Sequence, residues 1–223
     1  MPPTVAAGGD VVTVVRAWPG KDDAVTVEGR DQHGRLRAGT VARDGAARLL
    51  PHGVDRRLPA LAALVERARG EEDGRLVVHR AGRRAVVRHA GGYTKVVRPG
   101  RAASVAAASR TGGELASRAG LAAPEVLHED DSTVTCDVLP GRPVHELSGE
   151  PGWAGVWQVW AESWTRLQGL DARSGLSPHT DDDEAQVLRT WAARAAGAGV
   201  LPEVWVGRVE RVARRLEGQV GLF

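Results

Sequence analysis

The chain has 223 residues, and its 30 lysines and arginines nearly balance 28 aspartates and glutamates, for a formal net charge of +2. That is enough chain for one large domain or two small ones, and too little excess charge to argue for nucleic acid. One cysteine, Cys136, excludes an internal disulfide and a cysteine-based metal site. No apolar run approaches the ~20 residues of a spanning helix, and Met1-Pro2-Pro3-Thr4-Val5 lacks the basic-then-apolar order of a secretory signal. The expectation is a cytoplasmic protein with no membrane partner.

Residues 11–50 read as a small antiparallel meander. Val11-Val12-Thr13-Val14-Val15 is β-branched and closes at Trp18-Pro19-Gly20, where Lys21 sits in a polar turn. Val25 to Glu28 alternates, Asp31-Gln32-His33-Gly34 turns it, and segments 36–41 and 46–50 flank a second turn at Arg43-Asp44-Gly45. No chemistry is visible there, and His33 and His52 stand alone. A helix is predicted over 59–69, with Pro59 in its first turn and Leu61, Leu64 and Val65 on its apolar stripe.

Strands return at 76–79, 85–88 and after Gly91-Gly92, the last of them carrying Lys95. The chain draws its positive charge from arginine, with Lys21 and Lys95 as its only lysines. A lysine in mid-strand is a compact point charge on a flexible stem, suited to holding phosphate. Pro99-Gly100 then breaks the sheet, a helix is predicted over 102–119 with Glu114 in its later part, and a hairpin over 125–138 turns at Asp130-Asp131-Ser132.

Strand, strand, strand with lysine, helix with glutamate, then two strands and Leu139-Pro140-Gly141-Arg142-Pro143: over about 75–170 this order resembles the protein-kinase-like superfamily, closest to its aminoglycoside phosphotransferase and choline kinase branch. The resemblance implies an α+β chain, with an N-terminal β cap at 1–58, a kinase-like N-lobe at 59–140, and the helical start of a C-lobe at 141–223. It implies ATP as cofactor. Lys95 would hold its phosphates, Glu114 would orient Lys95, and backbone near Asp137 and Leu139 would meet the adenine edge. The turn at Gly82 would cover the phosphates, although it has one glycine where protein kinases have a glycine string.

Beyond the hinge, Trp153, Trp157, Trp160, Trp164 and Leu167 recur at spacings of four, three, four and three. That is a helical stripe, expected to be core. Two more helices follow, one from about Asp182 and one from about Val204. The catalytic aspartate, its asparagine and the second metal-binding aspartate of the family are not found, so the family's Mg²⁺ lacks its ligands. His179-Thr180-Asp181 imitates the motif, but Gln186 stands where asparagine is needed. Thr180 and the acids after it read instead as a helix cap.

Two functions are therefore expected of the sequence. One is the nucleotide-binding front portion of an ATP-dependent small-molecule phosphotransferase, inactive alone: the product of a truncated or split gene, a degenerate paralogue, or a chain completed by another polypeptide against the Trp153, Trp157, Trp160 and Trp164 face. The other is a non-catalytic, pseudokinase-like binding module using that same face. An α+β protein unrelated to kinases is a third reading.

Overall fold

The computed structural model describes residues 4–20, 24–170, 179–197 and 201–217. The turn expected around Lys21 lies outside them. The chain is mixed α+β and divides into two compact units, Met1–Leu170 and Asp171–Phe223. The boundary drawn at residue 58 from sequence thus falls inside the first unit. Among the described residues no helix is long and apolar enough to cross a membrane.

The first sheet contains β1 (Thr4–Ala7), β2 (Asp10–Pro19), β3 (Val25–Asp31), β4 (Leu36–Val41) and β5 (Ala47–Leu49). All neighbours are antiparallel and lie in sequence order, which is what short alternating strands with tight turns produce. In β2, Val12 is buried while Val11 and Val15 face solvent. The β3–β4 turn closes on Asp31, whose Oδ1 accepts from the backbone N–H of His33 at 2.9 Å and of Arg35 at 3.0 Å. Burial alone would raise the Asp31 carboxyl. The Arg35 and His33 amides and the Arg35 guanidinium overcome it and bring the pKa down to about 2.

The second sheet holds β6 (Arg75–Arg80), β7 (Arg84–His89), β8 (Gly92–Val97), β9 (Val126–Glu129) and β10 (Thr133–Cys136), in the order β6-β7-β8-β10-β9. The crossover from β8 to β9 is α2 (Ala102–Arg118), so the returning hairpin places β10 beside β8. Each face has its own core. On one, α1 (Leu61–Ala68) packs Leu61 and Ala68 against Leu76, Ala85, Val87 and Val96, and Leu36 of the first sheet joins them. On the other, Ala102 and Ala106 of α2 meet Val97 and Val134. Alanines one helical turn apart let the helix backbone approach the strands closely. Gly92 is dictated by space, because a Cβ there would stand 2.1 Å from the Cys136 carbonyl oxygen, at a φ of +127°.

The two sheets are tied by buried polar groups. Glu28 of β3 is 1% exposed, accepts from the His79 backbone N–H at 2.5 Å, and pairs with Arg16 at 3.1 Å. The His79 ring is fully buried, with Nε2 3.2 Å from Asp55 Oδ2.

A 3₁₀ turn at Val144–Glu146 leads to α3 (Trp153–Gln168). This helix touches α2 through Arg166, whose Nε donates to the Ala119 carbonyl at 3.1 Å and whose Nη2 donates to buried Ser163 Oγ at 3.0 Å. The tryptophans expected to be core are not buried: Trp157, Trp160 and Trp164 are 45%, 47% and 43% exposed. The end of α2 offers the Ala119 carbonyl, and the helix turns Arg166, with Ser163 bonded to it, toward that end. The indoles pack on one another instead, with successive centroids 5.5, 5.7 and 5.7 Å apart from Trp153 to Trp164.

In the second unit α4 (Asp181–Gly197) packs on α5 (Glu203–Leu216) through Ala185, Ala192 and Ala213. Arg189 of α4 donates to Glu210 of α5 at 2.9 Å, and Arg214 donates to the same carboxylate at 2.9 Å. Together they hold the Glu210 carboxyl at about 2.

Candidate functional site

Strand alternation decides where Lys95 points. Thr94 and Val96 face the α1 side, where Thr94 Oγ1 bonds His89 Nε2 at 2.7 Å and Thr135 Oγ1 at 2.8 Å. Tyr93, Lys95 and Val97 therefore face the α2 side. Lys95 is flanked in register by Val86 of β7 and Val134 of β10. Helix α2 covers β9 and β10. Farther along the same face Val78, Val86 and Lys95 are only half-buried. A mid-strand ammonium thus stands beside a partly open, apolar-floored sheet surface.

Cys136 lies on this face opposite Tyr93. Burial pushes its thiol up, and the Lys95 charge works in the other direction.

The expected partner of Lys95 is elsewhere. Glu114 is exposed, and among the described residues it forms no ion pair with Lys95. The helix phase explains this. Glu114 lies one turn after Arg110, whose guanidinium pairs with Glu129 of edge strand β9 at 2.7 Å. β10 stands between β9 and β8, so the Glu114 stripe looks toward the sheet edge.

The segment after β10 is more open. The Asp137 N–H donates to the Glu125 carbonyl at 3.1 Å, and Asp137 Oδ1 accepts from the Glu125 N–H at 2.5 Å. These bonds pin the start of the segment. The Asp137 carbonyl and the Leu139 N–H take part in no backbone hydrogen bond among the described residues. A donor and an acceptor two residues apart on an extended stretch can read the edge of a flat heterocycle.

At Gly82 the turn adopts a φ of +63°, and both of its backbone groups are engaged. Its N–H donates to Asp55 Oδ2 at 2.6 Å, and its carbonyl accepts from Arg98 Nε at 2.8 Å. Burial raises the Asp55 carboxyl. Hydrogen bonds from His79, Gly82 and Arg57 more than offset that, leaving it below the usual carboxylate value. In the turn expected to cover the phosphates, the Gly82 amide therefore faces a carboxylate.

His179-Thr180-Asp181 is a helix start. Thr180 donates from its N–H and Oγ1 to Asp183 Oδ2, both at 2.8 Å, and the Asp183 N–H returns a bond to Thr180 Oγ1 at 3.2 Å. This is a reciprocal capping box, as the acids after Thr180 suggested. His179 Nε2 lies 2.9 Å from Glu184, and this contact raises the imidazole pKa. Among the described residues no group of three His, Cys, Asp or Glu side chains could hold a metal ion.

Two features escaped the sequence. Asp55 and His79 are 24 positions apart and meet only when the segment before α1 closes on β6. The cations at the β6–β7 turn, Arg80 and Arg84, were legible as arginines but not as a directly opposed pair, since that depends on register. Comparison with protein-family models, with curated proteins and with solved structures found no match.

Proposed function

We propose that the first unit binds an adenine nucleotide in the manner of the aminoglycoside phosphotransferase branch of kinase-like proteins, as the nucleotide-holding portion of an ATP-dependent small-molecule phosphotransferase. The observation that carries this reading is the strand order β6-β7-β8-β10-β9 with α2 between β8 and β9. What supports it is the succession the resemblance implies along the chain, three strands with Lys95 on the third, then a helix and two strands, with Lys95 on the α2 side beside a half-buried stretch of sheet. The Asp137 carbonyl and Leu139 N–H, in no backbone hydrogen bond among the described residues, support the same reading, as acceptor and donor toward adenine. In it Lys95 meets the phosphates. Glu114 would join Lys95 only after a change in the phase or position of α2. Gly82 shapes the covering turn, with its amide held by Asp55. Asp181 has no catalytic part, being the first residue of a capped helix.

Calorimetric titration with ATP and ADP tests the reading. The expected result is binding to the wild type and a loss of about tenfold or more in Lys95→Ala, which corresponds to about 1.4 kcal/mol. Absence of binding by the wild type, or equal binding by the variant, overturns it.

A second reading, a non-catalytic binding module, is favoured by one observation: Trp157, Trp160 and Trp164 present indoles to solvent along one helix. Under that reading nucleotide has no effect, and Trp160→Ala abolishes association with the partner while leaving the circular dichroism unchanged.

A further inference from the structure

Four adjacent strands, β6, β7, β8 and β10, carry Arg75, Arg80, Arg84, Arg88 and Lys95 but no aspartate or glutamate. Neutralisation of these cations is one-sided. At one end Asp73 approaches Arg88 at 2.6 Å and Arg75 at 3.6 Å. At the other end Arg80 and Arg84 stand directly opposite each other across β6 and β7. Like charges in that position destabilise a sheet.

Among the described residues neither Arg80 nor Arg84 forms an ion pair, and Arg80 lies 5.1 Å over the Trp18 ring. The Arg80 Nε is buried and has no hydrogen-bond acceptor among the described residues. Burial first, then the charges of Arg83 and Arg84, weaken the hold of Arg80 on its proton. An orphaned donor on a cation surrounded by cations is a costly arrangement that a bound anion would remove.

Position supplies the rest. Arg84 pairs in register with Val97 and Val86 pairs with Lys95, so Arg84 and Lys95 share the α2-side face as diagonal neighbours. Such neighbours sit about 7–8 Å apart, within joint reach of one extended anion. Backbone amides cannot do this work here. The Gly82 N–H is given to Asp55, and the Arg83 N–H is given to the Arg80 carbonyl at 3.0 Å.

We infer that Arg80 and Arg84, together with Lys95, form a polyphosphate site that grips its anion through side-chain guanidiniums, where a glycine-rich turn would use amides. The identity of the anion as a nucleotide di- or triphosphate rests on the nucleotide reading above. The cation geometry does not.

The test is titration of the full chain at low ionic strength with ATP, with inorganic tripolyphosphate and with adenosine, for the wild type, Arg84→Gln, Arg80→Gln and Lys95→Ala. Arg118→Gln, on exposed α2 surface, controls for net charge. Arg84 is exposed, so Arg84→Gln keeps its fold even if Arg80→Gln does not. Expected is tripolyphosphate binding by the wild type, weakened about tenfold in Arg84→Gln and unchanged in Arg118→Gln. If Arg84→Gln binds ATP and tripolyphosphate like the wild type while Lys95→Ala does not, the guanidinium site is wrong and the nucleotide reading survives. If tripolyphosphate binding needs Arg84 but ATP binds no better than tripolyphosphate and adenosine not at all, the anion site stands and the adenine reading falls. Equal weakening by Arg118→Gln overturns the site in favour of diffuse charge.

Discussion

Glu28 illustrates how much one side chain can carry when it is cut off from water. Its carboxylate is the acceptor for the His79 amide of the neighbouring sheet, and no solvent can replace it. Glu28→Ala is therefore expected to cost about 1–3 kcal/mol, the usual penalty for a buried donor left without an acceptor. Glu28→Gln keeps an amide oxygen in place and should cost less. Urea denaturation monitored by circular dichroism separates the two, and equal stability of all three proteins would mean that the bond contributes nothing. His79 belongs to the same cluster, with its ring against Asp55 and its Nδ1 without a hydrogen-bond partner among the described residues. None of this was readable beforehand, because Glu28 and His79 are 51 positions apart and look in sequence like ordinary strand residues.

At the scale of elements α2 is the informative case. It carries Gly112 and Gly113 in its interior, where glycine costs roughly 1 kcal/mol relative to alanine. A Cβ at Gly112 would meet nothing within 4 Å, and one at Gly113 would only reach ordinary contact with Ala123 at 3.8 Å. Gly112→Ala is thus expected to stabilise the protein by up to about 1 kcal/mol, a rise of roughly 2–4 °C in Tm by differential scanning calorimetry. A lowered Tm would show that the helix needs to bend there. The same helix marks the limit of pattern reading. Its extent over 102–119 was legible from composition and from the break at Pro99-Gly100, and so were the three strands before it and the hairpin after it. Which stripe faced Lys95 was not, because that is set by how Ala102 and Ala106 seat on Val97 and Val134. Helix α3 teaches the same lesson: a spacing of four and three says that the indoles share a face, and nothing in it says what covers that face. The short strand β1 went unseen because Thr4-Val5-Ala6-Ala7 has neither length nor alternation to announce it.

For the molecule as a whole, acid is the revealing perturbation. Asp31 in the first unit and Glu210 in the second are both held at about 2 in the folded state, below the ordinary carboxylate values. A depressed folded pKa contributes stability that is present above the unfolded value and disappears as pH falls through the folded one. The contribution of these two carboxylates should accordingly be level from pH 7 to about 5, then decline between about pH 4 and 2 as both protonate. Denaturation midpoints measured across that range check it, and a maximum at pH 3 would contradict it. The division at residue 170 matters here too, since Asp31 belongs to the first unit and Glu210 to the second. The broad α+β character of the chain was legible from strand and helix periods. The place of the division was not, because the first sheet shares its core with the second and so belongs to one unit with it. Cys136 carries a last, practical consequence. It is the only thiol in the chain, and it stands on the sheet face that holds Lys95. A single fluorophore coupled there reports from one known place without any engineered residue. Because that thiol is held protonated by its surroundings, mildly alkaline coupling conditions favour the attachment.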